Sequence, residues 1–384
     1  MTAAGDVVVI GGGAMGGAVA VHLLEDPAFD AHVTVIERDP TYRQASSALS
    51  AAGTRRQFST PENIRMSAYS FDFIRDRLGL EISEGGYLYL ATAATRHILE
   101  ANHAIQITEG ADVVLLTPSE LALRYPWLST DGVALASLGR SGEGWFDGYG
   151  LVQVLRTRAR ELGAELLTAE VIGMELAGDR VAGVTLSDGS TLRCAAVVDA
   201  AGPWAAQVAA MAGVELPVEA RRRCVFVFDV ERGAPTDSPL IIDTSGVWVR
   251  PEGGSFIAGI APDEADDLPD LPLTTDRALF DDVMWPALAS RVPAFDAIRV
   301  TNSWAGYYEM NTFDHNAIIG RHPVVNNLLF ANGFSGHGIQ QSPAVGRAIA
   351  ELIVHDRFVT TDLSVFGLER IADGRRVVEQ NVIG

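Results

Sequence analysis

The sequence lacks lysine entirely: its 29 basic residues are all arginine, against 49 acidic ones. This absence excludes a Schiff-base lysine, a phosphate-binding P-loop lysine and an ammonium group as general base. The formal net charge of -20 argues against nucleic acid as a partner, because such surfaces need a positive stripe. A genomic preference for arginine codons would explain the missing lysine without any functional reason.

Cysteine and long apolar runs are also scarce. Only Cys194 and Cys224 are present, without a C-x-x-C pair, so neither a disulfide framework nor a cysteine metal site is expected. No His/Asp/Glu spacing indicates another kind of metal site. The first residues lack the basic stretch of a signal peptide, and no apolar run approaches the roughly 18 residues of a membrane span. We therefore expect a cytoplasmic protein.

The first forty residues form a recognisable unit. An apolar run, Val7 to Ile10, predicts a buried strand, and a glycine turn, a small-residue helix and a second strand (32–36) follow. Gly11 allows the tight turn, Gly13 lets a pyrophosphate approach the backbone and Gly16 lets the helix pack closely. Glu37 can then accept a hydrogen bond from a ribose hydroxyl. This order predicts a dinucleotide-binding site.

The rest of the chain alternates between helical and strand patterns. Apolar spacing predicts helices over 64–78 and 151–162. Alternating or apolar runs predict strands over 87–90, 171–176, 181–186 and 191–198, with hairpin turns between the last three, and a β-rich block over 224–260. The acidic, proline-dotted stretch 263–272 is expected to be a solvated loop.

Two further glycine clusters bear on the choice between NAD and FAD, which share the first turn. One ends a buried strand within 197–204, and the other, 332–343, leads into a helix that Ser342 and Pro343 are expected to begin. Each alone is compatible with an ordinary turn. Together with the first turn they indicate one long cofactor that three distant segments contact.

These segments resemble a known family. The motifs GGGAMGGAVA with Glu37, VVDAAGPWA, WAGYYEMNTFDHNAIIG and FANGFSGHGIQQSPAVGRAIAELI are similar to those of FAD-dependent oxidoreductases of the D-amino-acid oxidase superfamily. This family includes glycine and sarcosine oxidases and dimethylglycine and sarcosine dehydrogenases. The RRQFSTPEN stretch (55–63) is most similar to the branch that holds these dehydrogenases and a mitochondrial complex I assembly factor.

The resemblance implies the fold class and the domains. It implies an α/β protein in which a Rossmann-type FAD-binding domain is interleaved with an α+β cap, the substrate domain, built on an antiparallel β-sheet. The FAD-binding domain would comprise residues 1–83, 142–216 and 315–384. The cap domain would comprise residues 84–141 and 217–314.

The resemblance also implies which residues hold FAD. They come from the pyrophosphate turn, the ribose and adenine end, the loop beside the flavin, the second glycine cluster and the loop before the last long helix. They are Gly11, Gly13, Ala14, Met15, Gly16, Glu37, Arg38, Ser46, Ser47, Ala52, Gly53, Val171, Ala200, Gly202, Trp204, Gly336, His337, Gly338, Ile339 and Gln340.

Departures from the family pattern carry further expectations. Ser50 and Gly306 stand where relatives attach FAD covalently through histidine or cysteine, so FAD is expected to bind non-covalently. Tyr308 replaces the arginine that binds the substrate carboxylate in glycine oxidase. The two lysines of sarcosine oxidase correspond to Gln340 and to a position near Ile257. Loss of a cation beside the flavin would weaken stabilisation of developing superoxide, which favours a dehydrogenase over an oxidase.

The candidate catalytic residues follow from this comparison. Arg55 could clamp a substrate carboxylate, whereas Arg56 is expected to pack or to pair with a surface acid. Strand alternation turns Arg222 away from its two arginine neighbours, so at most one face reaches the site. Aromatic side chains could form a wall with hydroxyl tips or belong to the core. The candidate set is Arg55, Trp248, Tyr307, Tyr308, His337 and Gln340.

The implied reaction is oxidation of the C–N bond of a small amine or amino acid. Candidates are a secondary or N-methyl amino acid such as sarcosine or dimethylglycine, and a D-amino acid. Hydride would pass to flavin N5, and water would hydrolyse the resulting imine. The electrons would then pass to a quinone, an electron-transfer protein or O2. Two alternatives remain open: oxidation of a 2-hydroxy acid on the same fold, and a non-catalytic flavoprotein that serves in assembly.

Overall fold

The computed structural model describes residues 5–380. Its strands are β1 (Val7–Ile10), β2 (Val33–Glu37), β3 (Gly53–Thr54), β4 (Ile82–Ser83), β5 (Tyr87–Ala91), β6 (Val113–Leu116), β7 (Leu135–Gly139), β8 (Gly144–Phe146), β9 (Glu165–Thr168), β10 (Val171–Ala177), β11 (Arg180–Leu186), β12 (Thr191–Arg193), β13 (Ala196–Asp199), β14 (Val218–Val230), β15 (Leu240–Ile242), β16 (Trp248–Glu252), β17 (Ser255–Gly259), β18 (Ile298–Asn311), β19 (Ile318–Arg321) and β20 (Leu328–Asn332).

Helices connect these strands and cover their faces. The α-helices are α1 (Ala14–Glu25), α2 (Ser46–Leu49), α3 (Pro61–Asp72), α4 (Arg96–Thr108), α5 (Pro118–Arg124), α6 (Gly148–Glu161), α7 (Ala205–Ala210), α8 (Trp285–Arg291), α9 (Gly338–His355) and α10 (Glu369–Ala372). Short π-helical turns span Phe73–Arg77 and Leu279–Met284, and 3-10 turns span Gly202–Trp204, Pro293–Asp296 and Ser364–Phe366.

The first sheet has the strand order β19-β20-β13-β1-β2-β9. Its pairs are parallel except β19 with β20, and Val7 of the central strand lies opposite both Val33 and Ala196. One face packs against α1, α6 and α9, and the other against α7 and a three-stranded antiparallel sheet, β10-β11-β12. Because both faces are covered, β1 is apolar at every position, as predicted.

The second sheet has the order β18-β14-β17-β16-β15-β5-β7-β6. It is antiparallel except for the parallel pair β5 with β15, a detail that the predicted all-antiparallel cap sheet lacked. Its core is rich in phenylalanine: Phe226, Phe228 and Phe256 on the strands pack with Phe280 and Phe295 below them. A dinucleotide-type sheet combined with a β-rich second sheet confirms the predicted fold class.

The strands of the two sheets alternate along the chain. The first sheet draws on segments 7–37, 165–199 and 318–332, and the second on 87–139 and 218–311. These segments fall within the ranges assigned from the sequence to the two domains, whose division stays a prediction. Residues 1–4 and 381–384, at the outer ends of those ranges, lie outside the described residues.

Three predicted elements are wrong in detail. The run 191–198 contains two strands, because β12 pairs with β11 whereas β13 pairs with β1 and β20. Helix α3 ends at Asp72 and continues only as a π turn. Helix α9 begins at Gly338 rather than near Ser342, and Pro343 lies inside it. Pro343 has no N–H to donate to the Ile339 carbonyl oxygen four residues before it. The Ser342 hydroxyl donates to that oxygen instead, at 3.0 Å.

Several other features bear on the function classes considered above. In the described part of the chain, no helix is long and apolar enough to cross a membrane. Residues 5–380 also contain no group of three or more side chains able to hold a metal ion. Cys194 and Cys224 are both free thiols.

Candidate functional site

A cavity of about 350 Å³ opens between the two sheets and receives the carboxyl ends of the parallel strands. Ile10 and Gly11 at the end of β1, Glu37 at the end of β2 and Ala200 after β13 all line it. Its far end is lined from the second sheet, by Trp248 and its neighbours. This edge of a parallel sheet is where open α/β folds bind their ligands.

The first glycine turn is built so tightly that side chains are excluded. Gly11 has a φ of +103°, and a Cβ there would lie 2.3 Å from the Ala200 carbonyl oxygen. A Cβ on Gly16 would lie 1.9 Å from the Gly11 oxygen. Gly13 differs, since its Cβ would meet only the Ser47 Oγ, at 3.1 Å. Packing within the protein therefore does not exclude a side chain at Gly13, where a Cβ would instead take up space in the cavity.

Glu37 and Arg38 lie at one end of the cavity. The Glu37 carboxylate accepts the N–H of Gly12 at 2.9 Å and that of Asp39 at 2.8 Å, which fixes it beside the turn. The Arg38 guanidinium lies 4.0 Å above the Trp204 ring, so two residues assigned separately from the sequence form one contact. Together these residues form a wall with an anchored acceptor and an aromatic face.

The structure gathers most of the predicted cofactor residues around this cavity. Gly16 does not line it but packs beneath the turn. His337 does not line it either. Those that do are Gly11, Gly13, Ala14, Met15, Glu37, Arg38, Ser46, Ser47, Ala52, Gly53, Val171, Ala200, Gly202, Trp204, Gly336, Gly338, Ile339 and Gln340.

His337 is therefore removed from the candidate catalytic set. It is 1% exposed, and its ring lies edge-on to Phe58 with centroids 5.0 Å apart. Neither ring nitrogen has a hydrogen-bond partner among the described residues. Burial lowers the pKa of His337 well below its ordinary value, and the nearby Arg55 charge lowers it further. A neutral histidine packed on phenylalanine is structural.

Arg55, a candidate carboxylate ligand, lies in the cavity wall. Its side chain lines the cavity and is only 6% exposed. Its guanidinium lies 4.6 Å above the Phe58 ring, and its backbone N–H donates to the Gln340 Oε1 at 2.8 Å. No carboxylate of residues 5–380 lies within 4.0 Å of this guanidinium. The neighbouring Arg56 does not line the cavity.

Aromatic side chains also form part of the cavity wall. Trp248, Tyr307 and Tyr308 all line the cavity, and Tyr307 also stacks edge-on against Trp204. The Tyr308 hydroxyl donates to the Ser335 carbonyl oxygen. Burial raises the pKa of Tyr308 to about 12, so its phenol stays protonated. These side chains therefore both line the cavity and pack against neighbouring residues, two possibilities that the sequence alone did not separate.

The acidic stretch 263–272 is a largely exposed loop, as predicted, with one inward contact. Asp267 pairs with Arg223 at 2.7 Å, and both side chains are 14% exposed. Arg223 lines the cavity and lies 4.6 Å from the Tyr308 ring centroid. Arg222 does not line the cavity, as strand alternation predicts. Asp267 therefore joins one point of an otherwise exposed loop to the cavity wall.

Sequence reasoning missed several residues in and behind the cavity wall. Tyr87, Cys224 and Glu309 line the cavity. Glu143, 1% exposed, accepts the backbone N–H of Arg56 at 2.7 Å behind Arg55. Glu309 follows directly on the two predicted tyrosines, and that adjacency was the one available signal. Ile257, near the position that corresponds to a family lysine, is buried and does not line the cavity.

The cavity fits a flavin adenine dinucleotide. Gly13 leaves open the approach to the start of α1, a helix with no acidic residue in its first turn, where a diphosphate binds well. Ala52, in the loop along the cavity, is held at a φ of +48°, a strained backbone of the kind found where a loop is shaped around a ligand. The glycine cluster before α9 borders the same space.

A family model settles the assignment. The model described as "FAD dependent oxidoreductase", of the DAO family, matches residues 6–352. The chain belongs to the DAO family of FAD-dependent oxidoreductases. Its cofactor is therefore FAD, as the cavity indicated.

Similar proteins align with nearly the whole length of this FAD-dependent oxidoreductase. FAD-dependent oxidoreductase domain-containing protein 1 from Xenopus laevis is 41% identical, over 98% of this chain and 85% of its own length. Glycine oxidase from Geobacillus kaustophilus is 27% identical, over 96% of this chain and 98% of its own. The solved L-proline dehydrogenase from P. horikoshii superimposes with a TM-score of 0.87 at 28% identity, over 98% and 100% of the two chains.

Proposed function

We propose that this oxidoreductase oxidises the C–N bond of a small amino acid whose carboxylate binds Arg55. The observation that carries the proposal is the burial of this guanidinium in the cavity wall without an acidic partner within 4.0 Å among residues 5–380. A buried cation without a counter-ion is costly unless a ligand supplies one. A carboxylate can do so through two parallel hydrogen bonds.

Neighbouring groups favour a compact, partly apolar substrate. Leu240, Ile242 and Trp248 line the same cavity as Arg55 and give part of its wall an apolar surface. Burial raises the pKa of Tyr87 to about 12, so this phenol beside Arg55 also stays a neutral O–H donor. Secondary amino acids such as sarcosine, N-methylated ones such as dimethylglycine, and D-amino acids match this lining. The names of the similar glycine oxidase and L-proline dehydrogenase support the same class.

The chemistry divides between cofactor and protein. FAD, when bound, supplies the acceptor for the hydride that leaves the carbon next to a neutral amine nitrogen, and the imine left behind is hydrolysed by water. Arg55 orients the substrate through its carboxylate. Trp248, at the far end of the cavity, provides an apolar surface that would help to keep the reacting carbon in a dry environment.

An anaerobic screen of flavin reduction tests this proposal. Purified holoprotein is mixed without oxygen with N-methyl amino acids, D-amino acids, cyclic secondary amino acids, simple amines and 2-hydroxy acids. We expect loss of the flavin absorbance with amino acids that carry both a carboxylate and an oxidisable C–N bond. Bleaching by hydroxy acids alone would replace the proposal with hydroxy-acid oxidation. No bleaching by any compound would favour a non-catalytic role.

We further infer that the enzyme is a dehydrogenase rather than an oxidase. The support is the absence of lysine from the chain, which removes the ammonium group that sarcosine oxidases place near the flavin. Repeating the positive assays in air tests the inference. We expect the reduced flavin to persist for seconds or longer in air and to reoxidise quickly with a quinone or an artificial acceptor. Rapid reoxidation by O2 with formation of hydrogen peroxide would show an oxidase.

A further inference from the structure

Glu309 is a cavity-lining carboxyl group that the reaction outlined above does not use. It lies on β18, directly after the two tyrosines of the aromatic wall. Its Oε2 would lie 3.7 Å from a Cβ on Gly202, and its Oε1 would lie 3.0 Å from a Cβ on Gly338. The carboxyl group is thus placed between the second glycine cluster and the first residue of α9.

The surroundings of Glu309 provide no positive charge. No arginine of residues 5–380 lies within 4.0 Å of its carboxyl oxygens. Its hydrogen-bond partners are the backbone N–H groups of Gly333, at 3.3 Å, and Phe334. These two donors only partly offset burial, which raises the pKa of Glu309 to about 8.

The ionisable groups packed nearby do not supply that charge either. Burial raises the pKa of Asp199, at the end of β13, well above its ordinary value, and Glu309 raises it further. Tyr308 on β18 and His337 before α9 are both neutral, as described above. On the paired strand β14, Arg221 forms its ion pair with Glu219.

Asp199 is a second buried carboxyl group in this region. It is completely buried, and its Oδ2 lacks a hydrogen-bond partner, as does the Oδ1 of Asn332 beside it. The Asn332 amide donates to the Asp199 backbone carbonyl oxygen at 3.3 Å, and burial of the Asp199 carboxyl group outweighs its hydrogen bonds and favours its neutral form. Asp199 and Glu309 are close enough that a charge on one opposes ionisation of the other.

We propose that Glu309 is a cofactor-binding residue that acts as a neutral carboxylic acid: its O–H donates a hydrogen bond to FAD in the cavity, and its carboxylate form weakens FAD binding. FAD binding and protonation of Glu309 are then linked. If only the neutral form binds, the dissociation constant of FAD rises by up to tenfold for each pH unit above the pKa of Glu309 in the free protein.

The test measures FAD affinity, which requires no substrate, so its outcome is independent of the proposed reaction. The dissociation constant of FAD is measured by equilibrium dialysis between pH 6 and pH 10 on flavin-depleted protein. Wild type is expected to be constant at low pH and to weaken above about pH 8. Glu309→Gln keeps the size and an N–H donor without a charge, and is expected to bind FAD equally at every pH. Glu309→Leu is expected to bind more weakly throughout, also without pH dependence.

Glu170→Gln is the matched control, since it removes an exposed carboxylate at the other end of the same cavity. It should keep the wild-type pH profile. A flat wild-type profile, or a Glu309→Gln profile identical to the wild type, would overturn the proposal.

A second measurement uses the wild type and does not depend on the folding of a variant. Titration calorimetry in buffers of different ionisation enthalpy counts the protons taken up when FAD binds. At pH 9, above the pKa of Glu309, uptake should approach roughly one proton in the wild type and fall towards zero near pH 6. Uptake of no protons at pH 9 would also overturn the proposal.

Discussion

The backbone N–H of Arg55 donates to the side-chain Oε1 of Gln340 over 2.8 Å, although 285 positions separate the two residues. The contact joins the loop that carries the predicted carboxylate ligand to the first turn of α9. A lysine at position 340 would present a donor to a donor and could not make this contact. Gln340 therefore does not supply a positive charge, as a lysine would. It holds the backbone of Arg55 in place instead.

Replacing Gln340 should weaken substrate binding although Arg55 itself is unchanged. Gln340→Leu leaves the Arg55 N–H buried and unpaired, at a cost of about 1–3 kcal/mol. We expect roughly a tenfold higher substrate dissociation constant in anaerobic flavin-reduction titrations. Ser67→Ala is the control, because the Ser67 hydroxyl makes only a long contact of 3.5 Å to the same oxygen. Equal affinities in both variants would contradict this role for Gln340.

Two glycines of the first turn should respond differently to alanine. The Cβ of Gly13→Ala meets only the Ser47 Oγ, whereas that of Gly16→Ala meets the Gly11 backbone oxygen at 1.9 Å. We expect Gly13→Ala to fold with a near-normal melting temperature and to lose FAD affinity. Gly16→Ala should lower the melting temperature of the flavin-free protein as well. Thermal melts with and without FAD distinguish the two, and equal stability loss in both would refute the distinction.

Glu143 should make stability depend on pH. Burial raises its pKa from the ordinary 4.5 to about 7, although N–H groups of Gln57 and Arg56 donate to it. The folded state keeps a proton that the unfolded chain has already lost. Stability from this group is therefore full below pH 4.5 and is lost as the pH rises to about 7. The loss amounts to roughly 3 kcal/mol.

Urea unfolding at several pH values, on wild type and Glu143→Gln, measures this effect. In the variant, the free energy of unfolding should depend less on pH over the same range. The variant should also be less stable throughout, because its NH2 group would meet one of the two N–H donors of Arg56 and Gln57. Glu170→Gln should keep the wild-type slope. An unchanged slope in Glu143→Gln would show that Glu143 is ionised in the folded protein across this range.

FAD should be released from denatured protein. Ser50 and Gly306 both line the cavity, and neither can form a bond to the flavin ring. Cys224 also lines the cavity, opposite Ala305 on the neighbouring strand, and is its one thiol among the described residues. Acid precipitation should leave a colourless pellet and a yellow supernatant. A yellow pellet that becomes colourless in Cys224→Ser would instead show attachment through this sulfur.

Local features of the fold could be predicted from the sequence because their causes are local. The apolar run of β1 and the glycines after it specify a strand and a tight turn within ten residues. The split between β12 and β13 could not be predicted, since it depends on which partner strand each half meets. The start of α9 was misplaced because Ser342 and Pro343 have the composition of a helix start.

The site shows the same limit. Arg55, Tyr308 and the glycine loops could be found because each stands in a recognisable motif. Glu143 and Glu309 have ordinary sequence contexts, and only long-range packing buries them. His337 illustrates the converse, since two flanking glycines suggested a ligand contact, whereas packing on Phe58 turns its ring away from the cavity.

The central claim is that Arg55 binds the substrate carboxylate, and a comparison of matched ligands tests it most directly. Anaerobic titrations of wild type, Arg55→Met and the control Arg56→Met would use an amino acid that bleaches the flavin and the corresponding amine without its carboxylate. We predict that the wild type and Arg56→Met bind the amino acid on the order of 100-fold more tightly than the amine, and that Arg55→Met loses this preference. An unchanged preference in Arg55→Met, with FAD bound and the protein folded, would contradict the account.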